Sequence, residues 1–433
     1  MKKLSASALI TIGIILVLAG GLVGTLLYMK SQPEPVRGVA PLIEISALEP
    51  DSSKWGLNFP NQYSTLLLTE GNNTPTVYGG SNPFSKLEAD PRLLTLFAGY
   101  SFSIEYNEER GHMNSLVDVR SIGRINANTA GTCYSCKSSN NPGLWDEMGM
   151  AEYDATLFND LGAHITNPIG CANCHEANTM RLAVTNPALE EAFEEQGLDW
   201  TTFTRQEMRS VVCANCHVEY YFAGKGNYLT FPWDNGTNVD EIAAYYTEIG
   251  FSDWTHPESG AAMIKMQHPD YELYTAGSTH YAAGVACADC HMPYTRDGAA
   301  KFSTHNVHSP LLDPEPACGT CHTDVAYVTG RVATIQATVH ATMIATEDAI
   351  LAAIDTIGAA GITPGVDAEL LEEARLLHRE AQLRWDFIAA ENSMGFHNPE
   401  EALRILAVAT DLARQAQLKA VEAAGTTDIL AGH

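Results

Sequence analysis

Basic residues are scarce. Lys and Arg total 25 against 52 Asp and Glu, giving a formal charge of −27 at pH 7. That balance excludes nucleic acid as a partner, because phosphate contacts are made by Lys and Arg. Long amphipathic periods are missing from Gly38 to about Gly330, where Gly, Pro, Asn and Asp recur instead. Such a stretch cannot close an ordinary core unaided. Low-complexity sequence is also absent, since 34 Gly and 20 Pro are ordinary values for 433 residues. With 45% hydrophobic and 18% charged residues, the chain is neither disordered nor collagen-like. No cysteine stands alone. All ten fall in Cys-x-x-Cys pairs at 133/136, 171/174, 213/216, 287/290 and 318/321. A disulfide framework would use varied spacings, not one short loop repeated.

What is present divides the chain into four parts. Residues 1–30 carry a short basic start, Met1-Lys2-Lys3, and then an uncharged run from Leu4 to Met29 closed by Lys30. About 20 apolar residues span a bilayer, whereas a cleaved secretory core is about 7–15 residues. The run therefore reads as a signal-anchor helix with its basic end inside and the body exported. A long signal peptide, cut near Ala19-Gly20-Gly21 or within Ser31–Val36, is the other reading. Residues 31–40, with Ser31-Gln-Pro-Glu-Pro-Val36, form an extended tether. Residues 41–330 are loop-rich, with short helices expected over 188–200 and 238–250. Residues 331–425 change texture. Helical spacing predicts long helices from Arg331 to about Ile357, Asp367 to Asn392 and Pro399 to about Ala424. Asn398-Pro399-Glu400-Glu401 supplies a cap and a proline at the first turn. The fold class is mainly α, with a loop-rich part that needs a filler for its core followed by long helices.

Four of the pairs continue into histidine: His175, His217, His291 and His322. Cys-x-x-Cys-His is the attachment motif of c-type haem. The two thiols add to the haem vinyl groups, and the next residue brings an imidazole to the iron. Zinc also uses such pairs but does not explain a histidine after each one. Flat apolar haem faces would supply the core that the loop-rich region lacks. The remaining pair departs, reading Cys133-Tyr-Ser-Cys136-Lys137. Either this pair holds no haem, or its haem is ligated from elsewhere, or the neutral Lys137 amine is the proximal ligand. Axial ligand identity is a main lever on haem chemistry. Of the 15 histidines, four stand in motifs, leaving eleven for distal and ordinary roles. His378, inside a helix rich in Arg and Glu, and the terminal His433 read as ordinary.

Four His motifs and one Lys motif, with the Lys motif first, resemble the pentahaem, ammonia-forming cytochrome c nitrite reductases. Further landmarks are Arg110-Gly111-His112, Asp118-Val119-Arg120, Arg124, Val218-Glu219-Tyr220-Tyr221-Phe222, Lys265-Met266-Gln267-His268 and Gly395-Phe396-His397-Asn398-Pro399. The likeness covers about residues 60–425. It implies five covalently bound haem c groups and one calcium ion. By resemblance Lys137 is the proximal ligand of the active-site haem, and His112, His280, His305 and His397 are distal ligands of the other four. His308 is the near rival of His305. Arg124, Tyr220 and His268 resemble the active-site trio, with Arg120 as a rival because the loop from Arg124 to Cys133 is short. Glu219, Tyr220, Lys265 and Gln267 resemble the calcium ligands, Tyr220 and Lys265 through backbone carbonyls. Oxygen donors suit calcium.

The resemblance further implies six-electron reduction of nitrite to ammonium and a homodimer in contact through the long helices. A membrane-bound, quinol-oxidising cytochrome would be the electron donor, and the location would be the outer face of the cytoplasmic membrane. Three other readings stand beside it. One is a non-catalytic electron-transfer cytochrome. The second is a multihaem enzyme acting on hydroxylamine or sulfur oxyanions. The third is a quinol-oxidising membrane cytochrome, which the N-terminal run disfavours because it holds no His, Asp or Glu.

Overall fold

The computed structural model describes residues 11–16, 18–22, 25, 42–108 and 110–430. The chain divides into two units, Met1–Ala40 and Pro41–His433. In the first, residues 11–16 and 18–22 are helical and exposed. Among the described residues, no helix is long and apolar enough to cross a membrane. Most of the anchor read over Leu4–Met29, and all of the tether over 31–40, lie outside the described residues.

Three long helices dominate the second unit: Val325–Gly361, Ala368–Ala390 and Pro399–Ala424. The third matches its expected span, and its start has a local cause. The Asn398 side chain accepts from the Glu401 amide, and Pro399 needs no partner for a missing N–H. Gly425, at φ 66°, ends it in the left-handed conformation open to glycine. The first helix begins six residues before its expected start. Helical texture is legible in the sequence only after Gly330, yet this glycine lies within the helix, whose cap is Asp324 accepting from the Tyr327 amide. A mid-helix glycine costs only about 1 kcal/mol, which packing overrides.

Alanine seams let these helices approach closely. Ala349, Ala353, Ala360, Ala374, Ala409, Ala413, Ala416 and Ala420 are fully buried. A larger side chain there would overpack the seam by roughly 1–3 kcal/mol. The short helices expected over 188–200 and 238–250 occur as Pro187–Glu195 and Val239–Glu248.

Sheet is minimal. Among the described residues four antiparallel two-stranded hairpins occur, including Tyr221–Ala223 with Tyr228–Thr230 and Trp254–Thr255 with Ala262–Met263. The main apolar core joins the upper long helices to residues 93–106 and 239–266, with Phe97, Tyr246 and Trp385 at its centre. A second core gathers Tyr134, Tyr153, Leu161, Phe193 and Trp233 around the first three Cys-x-x-Cys motifs.

Candidate functional site

The Cys-x-x-Cys motifs fold as single tight turns. Cys171–Asn173 and Cys213–Asn215 are 3-10 turns, and Cys287–His291 is one turn of α-helix. The amides of His175, His217 and His322 donate to the carbonyls of Cys171, Cys213 and Cys318 at 2.9–3.0 Å. The Lys137 amide reaches only the Tyr134 carbonyl, at 2.9 Å. None of the ten cysteines is in a disulfide.

Each motif histidine faces a second histidine from a distant segment. Ring centres are 6.5 Å apart for His112 and His217, and 6.3 Å for His175 and His305. They are 6.4 Å apart for His280 and His322, and 6.3 Å for His291 and His397. Two imidazoles on opposite sides of one metal ion, each bonded at about 2 Å with its ring centre about 1 Å behind the nitrogen, stand about 6 Å apart. All four pairs fit one iron between them. Ring orientation agrees. Nδ1 of His175, His291 and His305 lies 3.0–3.1 Å from the carbonyls of Met180, His308 and Ser303. Nδ1 of His217 faces Asp270 at 3.3 Å. Those contacts leave Nε2 to point toward the partner ring. His308 offers its carbonyl to His291, while the ring opposite His175 is that of His305.

His397 rests on a special turn. Gly395 has φ 76°, and a Cβ there would come within 2.8 Å of Val339. Only glycine lets the chain turn from Ser393 into His397 at that approach.

The motifs also lie side by side. The Cys136 and Cys216 thiols are in hydrogen-bond reach, as are those of Cys213 and Cys287. Cys290 feels the thiols of Cys318 and Cys321. The order in space is therefore first, third, fourth and fifth motif.

Beside the Lys137 motif, Arg124 lies with its guanidinium 3.9 Å from the Phe102 ring centre. Its Nε is buried and has no hydrogen-bond partner in the protein. An orphaned buried donor is costly unless an acceptor arrives. Arg124 also lines a cavity of about 410 Å³ with the ion-paired Arg110 and Asp118. Arg120 is engaged elsewhere. It donates to the Tyr134 hydroxyl at 3.2 Å and to the carbonyls of Gly162 and Ile165 at 3.0 and 2.7 Å. Tyr220 stacks on Phe222 at 5.7 Å. The His268 carbonyl accepts from the Asp270 amide at 2.8 Å.

Glu219 is fully buried. Its carboxylate accepts from the Gln267 amide and from the Tyr246 hydroxyl at 2.8 Å. The Gln267 carboxamide lies 3.1 Å from the Lys265 carbonyl. That contact is the side-chain nitrogen donating to the carbonyl, so Glu219, Gln267 and the Lys265 carbonyl stand together with the oxygen donor types that suit calcium. Burial pushes the Glu219 carboxyl well above the usual range. A divalent cation would offset that by favouring the charged form. The Lys265 head points away, 2.9 Å from Asp386, in an ion pair almost wholly hidden from solvent.

Four acids were not legible as site residues: the half-buried Asp253 and the buried Glu272, Asp386 and Asp270. Asp253 accepts the Lys265 amide at 2.8 Å, and Glu272 accepts the Glu219 amide at 2.7 Å. Burial raises Glu272 to about 8. The one sequence signal was Asp386, an acid on the apolar face of a helix beside Trp385. His378, read as ordinary, is buried and bonded to Ser259 and Gln382 at 3.1 Å.

The sequence profile of cytochrome c552 matches residues 51–431. The chain belongs to that family. Cytochrome c-552 of Parabacteroides distasonis is 40% identical to this chain over 395 residues, 89% of this chain and 80% of that protein. The cytochrome c nitrite reductase subunit NrfA of Nitratidesulfovibrio vulgaris is 37% identical over 420 residues, 88% of this chain and 80% of that one. Among solved structures, cytochrome c nitrite reductase from Desulfovibrio desulfuricans matches with a TM-score of 0.85 at 35% identity, covering 90% of both chains. Two calcium sites are described in its catalytic subunit. The protein carries covalent haem c and is an oxidoreductase of the ammonia-forming nitrite reductase family.

Proposed function

We propose that this protein reduces nitrite to ammonium at a haem held by Cys133, Cys136 and Lys137, fed by four haems with two histidine ligands each. The observation that carries the reading is the set of four histidine pairs at 6.3–6.5 Å. They account for every His-bearing motif, and Lys137 stands at the one that remains. When bound, the Lys137 haem supplies an iron that takes nitrite through its nitrogen and receives electrons passed along the other four. Nitrite takes up six electrons and eight protons and leaves as ammonium and two waters.

The chain's own residues handle the charge and the protons. The protein is strongly acidic, so a local cationic site must draw in an anion. Arg124 offers that charge, with an Nε–H that has no acceptor in the protein. Stacking on Phe102 restrains the guanidinium. Donors fixed before substrate arrives need no reorganisation as charge develops. Arg124 and His268 donate to the nitrite oxygens, and protonation there releases water as each N–O bond breaks. Histidine suits that relay because its reference pKa is about 6.5. Tyr220 is a further proton donor. Glu219 and Gln267, joined through calcium with the Tyr220 and Lys265 carbonyls, hold the loop bearing His268 in register.

The same reading places the protein outside the cytoplasmic membrane, anchored by its N-terminal run and supplied by a membrane-bound, quinol-oxidising cytochrome. A homodimer through the long helices is part of it, and exposed Ile362, Leu376 and Leu418 support that contact.

Purified holoprotein with a reduced chemical donor tests the proposal. The expected result is six electrons consumed per ammonium formed, at rates above those for hydroxylamine and sulfite. Five low-spin haems and no spectral change with nitrite would instead identify a conductor. Lys137→His is expected to keep five haems yet lower turnover. Unchanged nitrite turnover would remove the role given to the amine.

A further inference from the structure

Asp270 lies between two of the histidine pairs. Oδ2 is 3.3 Å from Nδ1 of His217, and Oδ1 is 3.6 Å from Nδ1 of His397. Glu391 is 3.2 Å from the same His397 nitrogen. Asp270 is buried and held by Asn392, whose backbone amide and side-chain amide donate at 2.8 and 2.9 Å. The other three motif and distal rings with assigned Nδ1 contacts face neutral carbonyls.

An imidazole whose Nδ1–H meets a carboxylate is a stronger donor to its metal than one that meets a carbonyl. Stronger donation and a nearby negative charge both favour ferric over ferrous iron. We propose that Asp270 is a positioning residue shared by two haems, hydrogen-bonded to the axial imidazole His217 and placing its charge 3.6 Å from the axial imidazole His397, and that it lowers the reduction potentials of the third and fourth motif haems together. Glu391 acts on the fourth alone. The two haems are consecutive in the row that leads toward Lys137, so one carboxylate acts on two successive carriers.

This inference rests on the ligand assignment proposed above. The test is a spectroelectrochemical and EPR titration of the holoprotein at fixed pH, in wild type, Asp270→Asn, Asp270→Glu and Glu391→Gln. Wild-type signals are recorded first, and loss of bis-imidazole character there overturns the ligand assignment and this inference with it. In Asp270→Asn the ferric–ferrous equilibria of two haems are expected to shift toward ferrous by roughly tenfold, about 59 mV for one electron. Asp270→Glu restores part of that shift, and Glu391→Gln moves one haem only. Bis-imidazole signals with unmoved potentials in Asp270→Asn, or movement of a single haem, overturn the shared role and leave the ligand assignment standing. Asn392→Ala keeps the charge but removes one bond to Asp270. It moves the same two haems by a smaller amount, and if it moves neither the inference falls.

Discussion

Replacing Arg124 and Arg120 separately by Gln separates catalysis from architecture. The two residues are one helical turn apart in sequence, and both stand close to the first Cys-x-x-Cys motif. Arg120 makes hydrogen bonds to Tyr134, Gly162 and Ile165. Bonds from a charged donor contribute about 1.5–3 kcal/mol each when sheltered. Arg120 keeps solvent contact, so the loss expected in Arg120→Gln is about 1–2 kcal/mol in total. Arg124 makes no such bond through Nε. Its removal relieves an unmet donor and leaves the fold near wild-type stability. What it forfeits is a charged donor toward the anion. Removing one such donor costs about 10²–10³ in turnover, or about 2.7–4 kcal/mol of barrier. The assay is nitrite consumption with a reduced chemical donor, alongside thermal unfolding of each holoprotein. The expected pattern is crossed. Arg124→Gln is stable and slow, and Arg120→Gln is less stable and nearly as fast as wild type. Arg124→Gln turning over within a few-fold of wild type, with Arg120→Gln folded but inactive, would refute the assignment.

The buried Lys265–Asp386 pair gives a stability prediction. Asp386→Asn leaves the Lys265 ammonium without its counter-charge and is expected to cost about 3–5 kcal/mol in denaturant unfolding. Lys265→Met with Asp386→Leu recovers most of it. Ring planes give a spectroscopic one. The His280 and His322 planes cross at 87°, whereas those of His175 and His305 cross at 34°. Crossed axial imidazoles make the ferric EPR signal more axial, so His280→Met is expected to abolish the most axial low-spin signal and spare the most rhombic one. A pH prediction follows from Glu347, 1% exposed and 2.9 Å from Arg92. Burial and then the neighbouring Asp90 push it up to about 8. The folded state then keeps a proton that the unfolded chain gives up near pH 4.5. Its contribution to stability is full at low pH and falls between about pH 5 and 8, by at most about 1.4 kcal/mol per pH unit. Glu347→Gln is expected to flatten the unfolding midpoint over that range.

Local chemistry was the most legible part. Asn398-Pro399 announces a helix because cap and first turn are neighbours in the chain, and the helix begins there. Gly330 misled for the opposite reason, since its helix is held by distant packing along the alanine seams. The attachment motifs are legible because thiols and imidazole come from one short loop. Their opposite rings come from segments far away in sequence, and spacing alone could not select His305 over His308. Family resemblance named those rings, and the folded chain brings each within 6.3–6.5 Å of a motif histidine. Asp270 and Glu272 were invisible. In sequence they read as ordinary acids opening a short helix, and only tertiary burial makes them distinctive.

The facing imidazoles constrain how such a molecule is made. A flat macrocycle cannot slip between two rings already clamped by their own backbones at that separation, nor can thiols pressed against those of a neighbouring motif be alkylated at leisure. Pigment must therefore be installed while the polypeptide is still open, and tertiary closure comes afterwards, wrapped around it. On the ligand assignment proposed above, maturation and folding of this protein are one process, and a chain without its prosthetic groups has no route to the architecture described.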